Sequence, residues 1–162
     1  MDTTDKIKAQ RQQQSKQVLA LMRQILPPVL LEYPVEAAYV YGSVARGVMM
    51  MPFSDVDVAL VLSESLPSYE RLVLELEIQE AIEAAMGEAR PAPVDVRAIN
   101  EAPLTVRGRI VQEGILVYER DRVHRIAFEV ATRKRYLDFA PVARRLRDAF
   151  LEHVHREGLL RD

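Results

Sequence analysis

Two apolar runs in the first half of the chain differ in how they admit polar residues. Val35–Tyr41 is apolar with valine and tyrosine and ends at Gly42, the pattern of a buried strand entering a tight turn. Asp55–Leu62 alternates instead. Asp55, Asp57, Ala59 and Val61 fall on one face, and Val56, Val58, Leu60 and Leu62 on the other, so two carboxylates share a face. Ahead of both, Thr4–Leu26 places Val18, Leu21, Met22 and Ile25 at spacings of three and four, which predicts a helix turned toward the core near its end. Pro27 and Pro28 stop or kink it, with a further turn left open at Val29–Leu31.

Ser68–Met86 is ambiguous by pattern. Leu72, Leu74, Leu76 and Ile78 alternate with polar residues, while Leu74, Ile78, Ala81, Ile82, Ala85 and Met86 trace a helical stripe. The length of the segment, its Leu, Glu and Ala content, and Gly87 beyond its end decide for helix. Val94–Ile99 reads as a short β-branched strand containing Asp95, Pro103–Glu113 as a helix closed by Gly114, and Ile115–Tyr118 as a small strand. Asp121–Asp138 and Pro141–His155 form one long helix bent or broken near Pro141, or two helices. The order of elements predicts an α/β (α+β) domain with a small mixed sheet flanked by helices. Its expected parts are an N-terminal helical extension (1–32), a core (33–118) and a C-terminal helical segment (119–162).

Composition narrows the chemistry. With 162 residues the chain suits one compact domain. No apolar run nears the roughly 18 residues of a membrane span. The start Met1-Asp2-Thr3-Thr4-Asp5 is unlike a secretory signal, so a cytoplasmic location is expected. The absence of cysteine excludes disulfides, thiolate metal sites and cysteine nucleophiles, leaving oxygen or imidazole to hold any metal. A net charge of -2 argues against direct nucleic-acid binding by charge, although the chain is mildly basic from Glu119 onward.

The stretch Tyr39–Leu62, YVYGSVARGVMMMPFSDVDVALVL, combines a strand, a Gly-Ser turn, a short helix and a strand opening on Asp-x-Asp. This order resembles the signature of the DNA polymerase β-like nucleotidyltransferase superfamily. Gly42 lets backbone approach a phosphate, and Ser43 offers a hydroxyl beside helix N–H groups that favour an anion. Asp55 and Asp57 carry oxygens suited to Mg²⁺. The resemblance implies that Asp95, in PVDVRAI, completes the carboxylate set. It also implies that two Mg²⁺ ions serve attack on a nucleotide α-phosphate with loss of pyrophosphate.

The hexapeptide GSVARG, the small size and the run GILVYERD resemble the minimal nucleotidyltransferases, and more closely the MntA antitoxins paired with HEPN-domain HepT toxins. That likeness spans about Tyr33 to Pro141. It implies ATP as donor and transfer of AMP onto a tyrosine hydroxyl of a cognate HepT-like RNase, silencing it. The loop Val48–Phe53 departs from relatives, which often carry small or charged residues there. An enzyme acting on a small hydroxylated antibiotic would use the same aspartates, usually with a larger acceptor domain. An antitoxin neutralising by contact alone is the other alternative. Arg46 is a candidate phosphate or acceptor contact, and Arg107 and Arg109 are weaker ones. His153 and His155 alternate on a helix, where metal-binding pairs prefer spacings of three or four, and read with His124 as surface or structural residues. Met49, Met50 and Met51 suit loop packing, or else a docking patch.

Overall fold

A computed structural model describes residues 3–158; residues 159–162 of the expected C-terminal segment lie outside the described residues. Helix α1 (Thr3–Leu30) leads into strand β1 (Val35–Tyr41), the one-turn helix α2 (Gly42–Ala45) and strand β2 (Val56–Leu62). Then come α3 (Ser68–Met86), β3 (Val94–Ala98), α4 (Leu104–Glu113), β4 (Ile115–Glu119) and α5 (Arg122–Glu157). The strands form one mixed sheet in the order β3-β2-β1-β4. β1 is antiparallel to β2 and β4, whereas β2 and β3 are parallel and joined through α3, as parallel neighbours require a crossover.

The sheet is covered on both faces. Val56, Val58, Leu60 and Leu62 face Met22 and Leu26 of α1 and Ile78 and Ile82 of α3. Ala59 and Val61 face Tyr39, Ile110 of α4 and the partly buried Phe128 of α5. β2 is therefore apolar on both sides except at its first turnward position, Asp57.

Of the alternatives at the prolines, the structure takes the continuous helices. α1 runs through Pro27 and Pro28, and α5 is a single helix through Pro141. Each proline deprives the carbonyl four residues earlier of its amide partner. Those residues, Arg23, Gln24 and Leu137, are exposed, so water can serve the freed carbonyls. Burial of Leu26 and Leu30 holds the end of α1 in place. Arg120, just beyond β4, finishes it, its Nη2 donating to the carbonyls of Leu30, Leu31 and Tyr33.

The other boundaries fall within a residue or so of expectation. β2 begins at Val56 rather than Asp55, β3 ends at Ala98 and β4 extends to Glu119. The ladder does not stop with β3. Ile99 N–H donates to the Leu60 carbonyl, and the Asn100 amide both accepts from and donates to the Leu62 backbone. No helix among the described residues is long and apolar enough to cross a membrane.

α4 and α5 meet at Gly108, where an added Cβ would strike the ring of Tyr136. Gly108→Ala should thus push α5 from α4, at a cost of about 1–3 kcal/mol. Urea unfolding measures it, and an unchanged midpoint would show that Tyr136 yields freely.

Candidate functional site

The covered sheet face ends in a polar row. Register pairs Tyr41 with Asp57 and Asp57 with Asp95, so three residues stand side by side across β1, β2 and β3. One row inward, Tyr39 pairs with Ala59 and Ala59 with Arg97. Because side chains alternate along strands, both rows share the face covered by α4. Asp55 lies just before β2 and is exposed, while Asp57 and Asp95 are half-buried.

The row concentrates negative charge. Burial holds the Asp57 carboxyl above its ordinary value, and the charges of Asp95 and Asp55 push it further, against an opposing pull from Arg46. The Tyr41 phenol is pushed up to about 12 by burial and then by Asp57 and Asp95, so it remains a neutral donor at physiological pH. Asp95 has its own counter-charge, since Arg97 Nε lies 3.1 Å from its Oδ1. Among the described residues, no three His, Cys, Asp or Glu side chains are gathered closely enough to hold a metal ion unaided.

Gly42 fixes where Asp57 sits. Its φ is +67°, a region that disfavours side chains, and an added Cβ would collide with Asp57 Oδ2. The glycine is thus required first by a carboxylate of the protein itself. Ser43 follows it in α2, and its carbonyl accepts the Val48 N–H at 3.0 Å, folding the next loop back. With only four residues, α2 offers free amides more than a long aligned dipole.

Two clefts flank Tyr41. One, of about 240 Å³, is lined by Gly42, Arg46, Thr105, Arg109 and Glu113. The other, of about 320 Å³, lies toward β3 and is lined by Arg71, Glu75, Arg97 and Glu101 above an apolar floor that includes Ile99 and Val106. Arg46 and Arg109 thus meet at one cleft. Arg107 does not join them: its Nη1 donates to the Asn100 carbonyl at 3.1 Å, tying α4 to the end of the sheet.

The methionine loop divides by burial. Met49 is fully buried and its N–H donates to Ser15 Oγ at 3.2 Å, Met51 packs against the core, and Met50 is exposed. His153 and His155 are exposed on α5, and His124 is half-buried near its start. Tyr41, Arg97 and Glu75 were not anticipated as site residues. Parity along β1 and β3 puts Tyr41 and Arg97 on the carboxylate face, but the pairing that brings them together is non-local.

Residues 24–123 match the family described as Polymerase beta, Nucleotidyltransferase. No curated protein matches the chain in sequence. Among solved structures, a toxin–antitoxin complex with AMP-PNP contains a chain 18% identical, with a TM-score of 0.57, covering 85% of this chain and 98% of that one. A chain of the toxin–antitoxin MntA–HepT is 16% identical at a TM-score of 0.57, covering 82% and 97%. One from the complex of tri-AMPylated Shewanella oneidensis HEPN toxin with MNT antitoxin is 17% identical at 0.52, covering 87% and 98%. At these identities the agreement is one of fold.

The raised Asp57 carboxyl has a consequence for stability. A carboxyl whose folded pKa exceeds its unfolded value costs nothing below the unfolded value, near 3.8, and destabilises increasingly as pH rises through the folded pKa. Asp57→Asn removes that cost. The variant should melt higher than the parent at pH 7 and lose the advantage by about pH 3.5, as followed by circular dichroism; an equal or lower Tm at pH 7 would contradict the cost assigned to burying Asp57 beside Asp95 and Asp55.

Proposed function

This chain belongs to the Polymerase beta nucleotidyltransferase family, and we propose that it is an antitoxin adenylyltransferase, moving AMP from ATP onto a tyrosine hydroxyl of a cognate HEPN-domain, HepT-like toxin in the cytoplasm. The observation that carries the reading is the row Tyr41–Asp57–Asp95, with Asp55 beside it and the Gly42-Ser43 turn against Asp57.

The donor set suits Mg²⁺. Asp55, Asp57 and Asp95 present hard oxygen ligands, and the mutual repulsion felt at Asp57 is what a cation relieves. Mg²⁺ would take its remaining ligands from water and substrate phosphates. When bound, Mg²⁺ supplies charge neutralisation at the phosphates and lowers the pKa of a coordinated hydroxyl.

The chain's own residues do the rest. The amides at Gly42 and Ser43 receive the β- and γ-phosphates, and Arg46, which already offsets the Asp57 charge, faces them from the adjoining cleft. The acceptor tyrosine oxygen bonds to the α-phosphorus, the α–β bridging bond breaks and pyrophosphate departs. Asp95, on the outer strand, takes the hydroxyl proton.

The fold neighbours bear on donor and acceptor. One is a toxin–antitoxin complex with AMP-PNP, and another pairs an MNT antitoxin with a tri-AMPylated HEPN toxin. A protein acceptor also accords with the apolar side chains that α5 leaves exposed, including Val130, Leu137, Leu146 and Phe150.

Incubating the chain with ATP, Mg²⁺ and a HEPN-domain protein encoded by a neighbouring gene should add one or more AMP units to a tyrosine of that protein, read by intact and peptide mass. Asp57→Asn should slow transfer by more than the 10–100-fold typical of losing an outer-shell partner of a metal site. An unmodified HEPN protein that is nonetheless inhibited would replace catalysis with neutralisation by contact.

A further inference from the structure

Arg97 stands between two carboxylates and satisfies them unequally. Its Nε lies 3.1 Å from Asp95 Oδ1, the closer ion pair, whereas its Nη1 lies 3.6 Å from Glu75 Oε2. Glu75 is the less mobile partner. Its side chain on α3 is only 9% exposed, and its Oε1 accepts the Ala98 N–H at 2.8 Å, which anchors the carboxylate to β3. Glu75 lines the cleft toward β3, and its second oxygen meets Arg97 only at the longer distance. The Arg97 side chain, 56% exposed, is free to choose.

We infer that Arg97 is a positioning residue that neutralises Asp95 until a divalent cation reaches the carboxylate row, and is then handed to Glu75. The inference rests on the proposal that Asp57 and Asp95 hold such a cation. A cation beside Asp95 removes the need for the guanidinium there and repels it. A short shift toward α3 closes the Glu75 gap and gives that buried carboxylate its counter-ion. Arginine stays protonated throughout, so the exchange moves a charge and no proton. The handover makes cation affinity depend on Glu75, which is not placed to be a ligand, and does so only through Arg97.

The other charges near Arg97 do not substitute for this pair. Arg71 faces the same cleft but pairs with Glu101 at 3.5 Å, and Arg46 lies on the far side of Tyr41, in the other cleft.

The test is a thermodynamic cycle on Mn²⁺ binding to the full chain without nucleotide, with free Mn²⁺ read by electron paramagnetic resonance. Arg97→Gln should tighten binding about 3–10-fold, and Glu75→Gln, which keeps an acceptor for Ala98, should weaken it by a similar factor. In the Arg97→Gln background, Glu75→Gln should change affinity less than about 2-fold. Equal weakening by Glu75→Gln in both backgrounds would reduce Glu75 to a distant field and overturn the handover. So would an Arg97→Gln variant that binds no tighter than the parent. Parent binding that is lost in Asp57→Asn but insensitive to Arg97 would sink the handover and leave the proposed site standing. No binding by the parent would sink both.

Discussion

A carboxylate buried beside other carboxylates on a rigid sheet is the constraint on which the rest of this structure turns. Asp57 cannot relax away from Asp95, because the parallel register of β2 and β3 pairs them directly. Nor can it retreat toward the turn, where Gly42 already admits it as closely as a residue without a Cβ allows. The energetic cost is borne by the two apolar layers that clamp the sheet, one under α1 and α3 and the other under α4 and α5. A folded protein that keeps such a row has a reason to bring a cation or a polyphosphate complex to it.

The surrounding polar groups read as the means of containing that charge. Arg46 offsets Asp57 from the turn side, and Arg97 holds Asp95 from the strand side. Farther along the same face, Tyr39 donates to Glu129 at 2.6 Å, and Arg125 binds both Glu129 and Glu119. This second network sets one arginine between two glutamates and fastens the start of α5 to β1 and β4. The contrast between the two is instructive. The inner network is tied by direct hydrogen bonds between its own groups, whereas the outer row stands beside two clefts.

Local pattern revealed much of this. Alternation from Asp55 to Leu62 put both carboxylates on one face, because one strand's parity is a local property, and the burial of Val56, Val58, Leu60 and Leu62 follows from it. Asp95 was reached only through family resemblance, since nothing in its own strand says which neighbour it will meet. Tyr41 and Arg97 were missed for the same reason: their place in the site is set by register across strands far apart in sequence. Glu75 was hidden more deeply, as a charged residue within an otherwise apolar helical stripe whose burial depends on Arg97 and the Ala98 amide. The sequence left stopping and continuing open at the prolines, because the outcome depends on whether the freed carbonyls face water; Pro27, Pro28 and Pro141 all lie within continuous helices.

The most direct measurement of the central claim is the melting temperature of the full chain with Mg²⁺ alone, AMP-PNP alone and the two together. A carboxylate row built to receive a metal-bound triphosphate predicts a clear rise when both are present, growing with concentration as ligand linkage requires, and a much smaller one with AMP-PNP alone. A Tm that stays unchanged with both at saturating millimolar levels would contradict the account.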